Sequence, residues 1–153
     1  HKAKMNYPKE IDIIVKQELK NLIKLYMNDI GLLTNLLYKN NVSAILDDAK
    51  GVNLGAVYET VVAQELKSHG HELFYYDRRK VGEVDYLVDD YNTLSILPLE
   101  IKSGKDYRNF RALPKLIENT NYRIVEGIVF SNEQMVKKVG KITYLPIYYV
   151  MFI

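Results

Sequence analysis

The stretch that decides the fold runs from Glu83 to Lys102. EVDYLV (Glu83–Val88) and LSILPLEIK (Leu94–Lys102) are separated there by Asp89, Asp90, Tyr91 and Asn92. Short runs rich in β-branched and aromatic residues, bounded by turn-forming residues, predict strands. ELFYYD (Glu72–Asp77), set off by Arg79-Lys80-Val81-Gly82, predicts a third, so the three read as a β-meander. Side chains two apart on a strand share a face, which sends Glu100 and Lys102 one way and Leu99 and Ile101 the other. On the preceding strand the same period puts Glu83, Asp85 and Leu87 on one face and Val84, Tyr86 and Val88 on the opposite one. Pairing of the two strands as a hairpin brings Asp85 beside Glu100.

Downstream of Ser103-Gly104 a helical period runs through Phe110, Leu113, Leu116 and Ile117, followed by an apolar strand, Ile124–Phe130. A strand, helix, strand order predicts a crossover with parallel pairing. Lys141–Tyr144 is expected as an edge strand, and Leu145-Pro146 as the start of a short closing helix. Upstream, Asn53 reads as an N-cap and Gly70 as a helix stop, with a helix between them. Asp29 reads as the cap of another helix carrying Leu32, Leu33, Leu36 and Leu37. Residues 10–26 keep a helical spacing through Ile11, Ile14, Val15, Leu19, Leu22, Ile23 and Tyr26, the later part being open to an extended form. Asn40-Asn41 and Asp47–Val52 read as loops. The expected fold class is α/β, a mixed central sheet of β-meander plus parallel crossover strand, flanked by helices. Residues 1–50 form an N-terminal helical segment in this division, and 51–153 the principal domain.

Composition is compatible with one core. In 153 residues, 48% are hydrophobic and 26% charged, the balance of a folded globular domain. The absence of cysteine excludes disulfides, thiolate zinc sites and cysteine nucleophiles. Three histidines, at positions 1, 69 and 71, argue against a His-rich metal site. A net charge of +2 is compatible with nucleic acid without arguing for it. No stretch approaches the roughly 20 apolar residues of a membrane span, and Pro146 interrupts the longest apolar run, Leu145–Ile153. A cytoplasmic domain is expected.

Two carboxylates side by side on a sheet repel unless a cation or a shared proton lies between them. A hard divalent ion fits, since Mg²⁺ (or Mn²⁺) takes oxygen ligands and is typically held by one or two carboxylates, with water and phosphate completing its shell. Asp85 and Glu100 are thus candidate metal ligands, with a metal-bound water as candidate nucleophile. Lys102 is suited to orienting that water or to stabilising charge on a phosphodiester. Glu59 shares a helical stripe with Gly55, Val62, Ala63 and Leu66, and an acid on such a stripe needs a partner, either in this cluster or at Arg78 or Arg79. The same spacing of Asp85, Glu100 and Lys102 would also suit an exposed sheet face with a weak ion pair.

These residues match a known pattern. Glu59, Asp85 in GEVDYLV, and Glu100 with Lys102 in PLEIKSGK resemble the PD-(D/E)XK nuclease superfamily, which has the restriction-endonuclease-like fold. KLYMNDIGLL, NLGAVYETVVAQEL, LFYYDRRKVGEVDYLV, PLEIKSGKDY and LPIYYVMFI look like the uncharacterised C-terminal domain of prokaryotic AAA-type ATPases, a likeness covering about residue 24 to the end. Val84 precedes Asp85 where that superfamily usually has proline. The resemblance implies catalytic roles for Asp85, Glu100, Lys102 and Glu59, with metal at Asp85, Glu100 and Glu59. Residues 1–50 would then lead to an ATPase or winged-helix region absent from this chain. The superfamily also includes inactive members, so a nucleic-acid-binding or protein-binding module is the alternative to a nuclease.

Ser103, Lys105, Tyr107 and Arg108 follow the ExK strand and are candidate phosphate contacts, although a polar loop leading into a helix looks the same. Ser103-Gly104-Lys105-Asp106 fails as a nucleotide-phosphate loop, because Leu99 stands where the first glycine belongs and Asp106 where Ser or Thr binds magnesium. No ATP site is expected. Expected partners are nucleic acid and the ATPase region of the full-length protein, and a homodimer stays open. The thirteen tyrosines can stack on bases, but Tyr75, Tyr76, Tyr86, Tyr148 and Tyr149 lie in apolar runs where packing explains them better.

Overall fold

The computed structural model describes residues 24–39, 41, 43, 54–104 and 110–153. Most of the helix expected over 10–26, the loop over Asp47–Val52 and the candidate contacts Lys105, Tyr107 and Arg108 lie outside the described residues. Of the first of these, Lys24 and Tyr26 are not helical and Leu25 makes an isolated β-bridge.

Helix α1, Ile30–Tyr38, begins where expected: Asp29 is extended and its carboxylate accepts the Leu32 N–H at 2.8 Å, satisfying one of the orphan donors of the first turn. Helix α2, Gly55–Ser68, buries Val57, Thr60, Val62, Ala63 and Leu66. Its N-cap position is held by Leu54, with no side-chain cap. It stops at Gly70, whose φ of +87° reverses the chain so that the His71 N–H reaches the Leu66 carbonyl at 3.0 Å. A residue without Cβ adopts that conformation at little cost.

The strands are β1 (Phe74–Arg78), β2 (Gly82–Asp90), β3 (Ser95–Ile101), β4 (Gly127–Ser131), β5 (Lys137–Val139) and β6 (Ile142–Pro146), with helix α3 (Ala112–Ile117) between β3 and β4. Among the described residues they form one six-stranded mixed sheet in the order β1-β2-β3-β4-β6-β5. The meander β1-β2-β3 is antiparallel, β3 and β4 pair in parallel across α3, and β4 also pairs in parallel with β6. The strand expected at the edge over Lys141–Tyr144 becomes Ile142–Pro146, and it is internal rather than marginal. Its outer side is covered by β5, whose three residues are all exposed and whose two lysines suit an edge. Such a run has no inward-outward alternation for a sequence reading to catch. Pro146 then leads into a closing 3₁₀ turn, Ile147–Phe152.

Helices cover both sheet faces. Leu113, Leu116 and Ile117 of α3 pack with Phe74, Tyr76, Leu87, Ile96 and Val129. Val62, Ala63 and Leu66 of α2 pack with Tyr86, Val88, Leu99, Ile101, Ile128, Phe130 and, from the closing turn, Val150. Each fully buried Leu, Val or Phe contributes about 1.5–3 kcal/mol of transfer free energy. No described helix is long and apolar enough to cross a membrane.

One strand breaks the expected alternation. Phe74 pairs with Leu87 but Tyr76 pairs with Val84, so β2 holds one residue more than β1 over this interval. That is a β-bulge at Asp85-Tyr86, and it flips the residues that precede it. Val84, expected beside Tyr86 and Val88, instead joins Leu87 in the α3-side core.

A Cβ on Gly127 would lie 2.9 Å from Ile117 Cδ1 and 3.0 Å from Leu113 Cδ1, whereas one on Gly104 meets nothing within 4 Å. Gly127→Ala is therefore expected to destabilise by about 1–3 kcal/mol through overpacking and Gly104→Ala to be near neutral, as read from urea unfolding midpoints. Equal midpoints for the two variants would contradict the close approach of α3 to β4.

Candidate functional site

The site is generated by a divergence of strands. The ladder between β2 and β3 stops at Tyr86 and Leu99. Below that point β2 stays paired with β1, through Val84, Glu83 and Gly82, and β3 stays paired with β4, through Glu100 and Ile101. Extending the β2-β3 register by one residue sets Asp85 across from Glu100. The Ile101 N–H finds its acceptor in a side chain: Asp85 Oδ2, at 2.7 Å. The bulge therefore turns the Asp85 carboxylate into a substitute for a ladder carbonyl, which fixes one of its oxygens and, among the described residues, leaves Oδ1 uncommitted to the backbone.

Glu100 lies between Leu99 and Ile101, which belong to the α2-side core, so it faces the other way. Its side chain is only 6% exposed. Oε1 meets Lys102 Nζ at 2.7 Å, whereas Oε2 is buried with no hydrogen-bond partner. Lys102 is positioned by its own N–H, which donates to the Phe130 carbonyl at 2.8 Å. Its ammonium thus stays within the cluster.

Glu59 arrives from α2. Tyr86 ties that helix to β2 by donating its hydroxyl to the Glu59 carbonyl at 2.8 Å. The Glu59 carboxylate faces Lys24 at 3.8 Å, not Arg78 or Arg79. Lys24 was not singled out from sequence, yet its Nζ also lies 3.7 Å from Asp85 Oδ1, in contact with Glu83 Oε1, and 5.5 Å from the centroid of the Tyr75 ring. Glu83 is expected on the face of Asp85, but the bulge breaks that alternation, and Glu83 joins the cluster through Lys24. Lys24 had no signal, because nothing in its local pattern tells which sheet residues it meets. Of the candidate phosphate contacts, Ser103 directly follows Lys102 at this end of the sheet.

Four carboxylates, Glu59, Glu83, Asp85 and Glu100, therefore face two ammoniums, Lys24 and Lys102. Among the described residues the cluster is short of positive charge, and its acids show it. Burial, together with the neighbouring Asp85 charge, pushes the Glu100 carboxyl up to about 7 in spite of Lys102. Burial likewise raises Asp85, against the opposing Ile101 N–H and Lys24, and raises Glu59, with the Asp85 charge adding to it. Burial alone would lower the Lys24 ammonium, but Glu83, Asp85 and Glu59 hold it above the ordinary lysine range.

Acids raised by burial and by one another are relieved by a cation or retain a proton. The donor set is all oxygen, and the partnerless Glu100 Oε2 is an acceptor waiting for a partner, so Asp85 and Glu100 suit a hard divalent ion. Among the described residues no three His, Cys, Asp or Glu side chains form a ready-made cage. An ion held by two carboxylates and completed by water and phosphate does not require one.

The sign of the pH dependence follows from Glu100. A folded-state value near 7, above the unfolded one, gives a contribution fully present below the unfolded value and lost as pH rises through about 7. Without divalent ions, Glu100→Gln is expected to match wild type in urea unfolding near pH 4 and to exceed it at pH 8. A variant less stable than wild type at pH 8 would show that the ionised carboxylate stabilises the fold.

No curated protein and no solved structure matches the chain. A family described as Domain of unknown function (DUF4143) matches residues 54–150. The matched stretch contains α2, the whole sheet, α3 and most of the closing turn, hence every acid of the cluster and Lys102, and with more than half of the chain covered, this protein belongs to the DUF4143 family of domains of unknown function.

Proposed function

We propose that this domain is a divalent-cation-dependent nuclease hydrolysing phosphodiester bonds, built on a restriction-endonuclease-like core of the PD-(D/E)XK type. It would form the C-terminal domain of an AAA-type ATPase, with the nucleotide site elsewhere in the full-length protein. The observation that carries the reading is Asp85, bound to the Ile101 N–H where β2 and β3 part, with its charge acting on the neighbouring Glu100, whose Oε1 lies 2.7 Å from Lys102 Nζ and whose Oε2 has no partner.

Mg²⁺ or Mn²⁺, when bound by Asp85 and Glu100, supplies a Lewis acid for a phosphoryl oxygen and a water of lowered pKa. The chain's own residues do the rest. Ile101 holds Asp85 through its N–H, so the carboxylate presents Oδ1 without rotating. Lys102 offers an ammonium to developing phosphate charge, and its bond to Glu100 limits the volume it samples. Glu59 adds a third acid from the helix side. Ser103, with Lys105, Tyr107 and Arg108 in the segment that follows, would contact the phosphate backbone of DNA or RNA.

The test is cleavage of plasmid, linear DNA and RNA in Mg²⁺ or Mn²⁺ by wild type, Asp85→Ala and Lys102→Ala. Wild type is expected to cut and each variant to lose about 10²-fold or more. Equal cleavage by all three proteins, or none by wild type, rejects the nuclease reading.

A second reading is favoured by one observation: Lys24 and Lys102 already supply positive charge to the cluster from within the chain. A catalytically inactive nuclease-fold module would then bind nucleic acid without turnover. That binding would weaken steeply as salt rises. Binding that is absent or insensitive to salt leaves only a protein partner.

A further inference from the structure

We propose that Lys24 is a resident cation of the cluster, and that seating of its segment and binding of a divalent ion at Asp85 exclude each other. The inference rests on the metal reading above and names what regulates that site. Asp85 Oδ2 is committed to the Ile101 N–H, so Oδ1 is the oxygen it can offer an ion, and Oδ1 is the one facing Lys24 Nζ at 3.7 Å. The same ammonium faces Glu59, another candidate ligand, at 3.8 Å. It therefore stands against two of the three acids a metal would use, while the third, Glu100, keeps a buried oxygen with no partner.

The charge deficit attracts a cation, but position decides which one. An ammonium and a divalent ion repel strongly at such separations in a partly desolvated site. Lys24 is held by Glu83 and the Tyr75 face, and Glu83, with a side chain 45% exposed, is the most exposed acid of the cluster. The Lys24 segment leads directly into the Asp29 cap and α1, so release of Lys24 would be transmitted to that helix.

The experiment measures Mn²⁺ binding by titration calorimetry to the full chain as wild type, Lys24→Gln and Lys24→Gln/Asp85→Asn. Amide exchange of wild type over residues 24–29 is followed with and without Mn²⁺. Lys24→Gln is expected to bind Mn²⁺ at least tenfold tighter, the Asp85 change to abolish that gain, and Mn²⁺ to accelerate wild-type exchange over 24–29. Unchanged or weaker binding by Lys24→Gln, with wild type still binding, overturns the exclusion and leaves the metal reading intact. Failure of both folded proteins to bind Mn²⁺ overturns both. Tighter binding with unaltered wild-type exchange assigns the effect to charge repulsion alone and overturns the exclusion. The exchange measurement needs no variant, so it decides even where Lys24→Gln fails to fold.

Discussion

The hydrogen bond from the Ile101 N–H to Asp85 Oδ2, 2.7 Å long, occupies the place where the β2-β3 ladder ends and lets the strands part without stranding a buried donor. A buried amide left without an acceptor costs about 1–3 kcal/mol, so divergence at this point requires a substitute acceptor. The extra residue in β2 supplies it by re-aiming Asp85. Everything else about the site follows from that arrangement. Once the strands separate, Glu100 has no ladder partner on β2, and its carboxyl feels the charge of Asp85.

The cluster that results is stable for a reason different from the core beneath it. The two hydrophobic layers gain from removing Leu, Val, Phe and Tyr side chains from water, a non-directional effect that tolerates exchange of similar volumes. The acids lose hydration on burial, and the compensation is directional: an amide for Asp85, one ammonium for Glu100, another shared by Glu59, Glu83 and Asp85. Such compensation is incomplete, which is why Glu59, Asp85 and Glu100 all hold their protons more tightly than exposed acids do. Replacing buried, incompletely compensated acids with apolar groups often stabilises a fold, so their presence here makes the cluster a candidate functional site.

Tyr86 joins the two systems. Its ring is buried in the α2-side core while its hydroxyl reaches the Glu59 carbonyl, and the Tyr26 ring lies against it with centroids 5.5 Å apart. Tyr26 is two residues from Lys24, so the segment that carries the ammonium is seated on the same tyrosine that holds α2. Helix, strand and N-terminal segment therefore share one anchor beside the cluster.

Much of this was legible in the chain itself. The meander, the crossover through α3, the Asp29 cap and the Gly70 stop all follow from local periodicity and from residues with narrow backbone or hydrogen-bonding preferences. So does the common face of Glu100 and Lys102, because a strand repeats every two residues whatever surrounds it. Three features were not legible. The bulge that moves Val84 to the other core depends on pairing with β1, β5 becomes a strand only because β6 offers it a partner, and Lys24 reaches Glu59, Glu83 and Asp85 from residues 35 to 61 positions away. Local sequence sets what each segment can be by sterics and hydrogen-bonding capacity; which charges meet, and where a ladder breaks, is decided only when distant segments compete for the same space and the same hydrogen-bond partners.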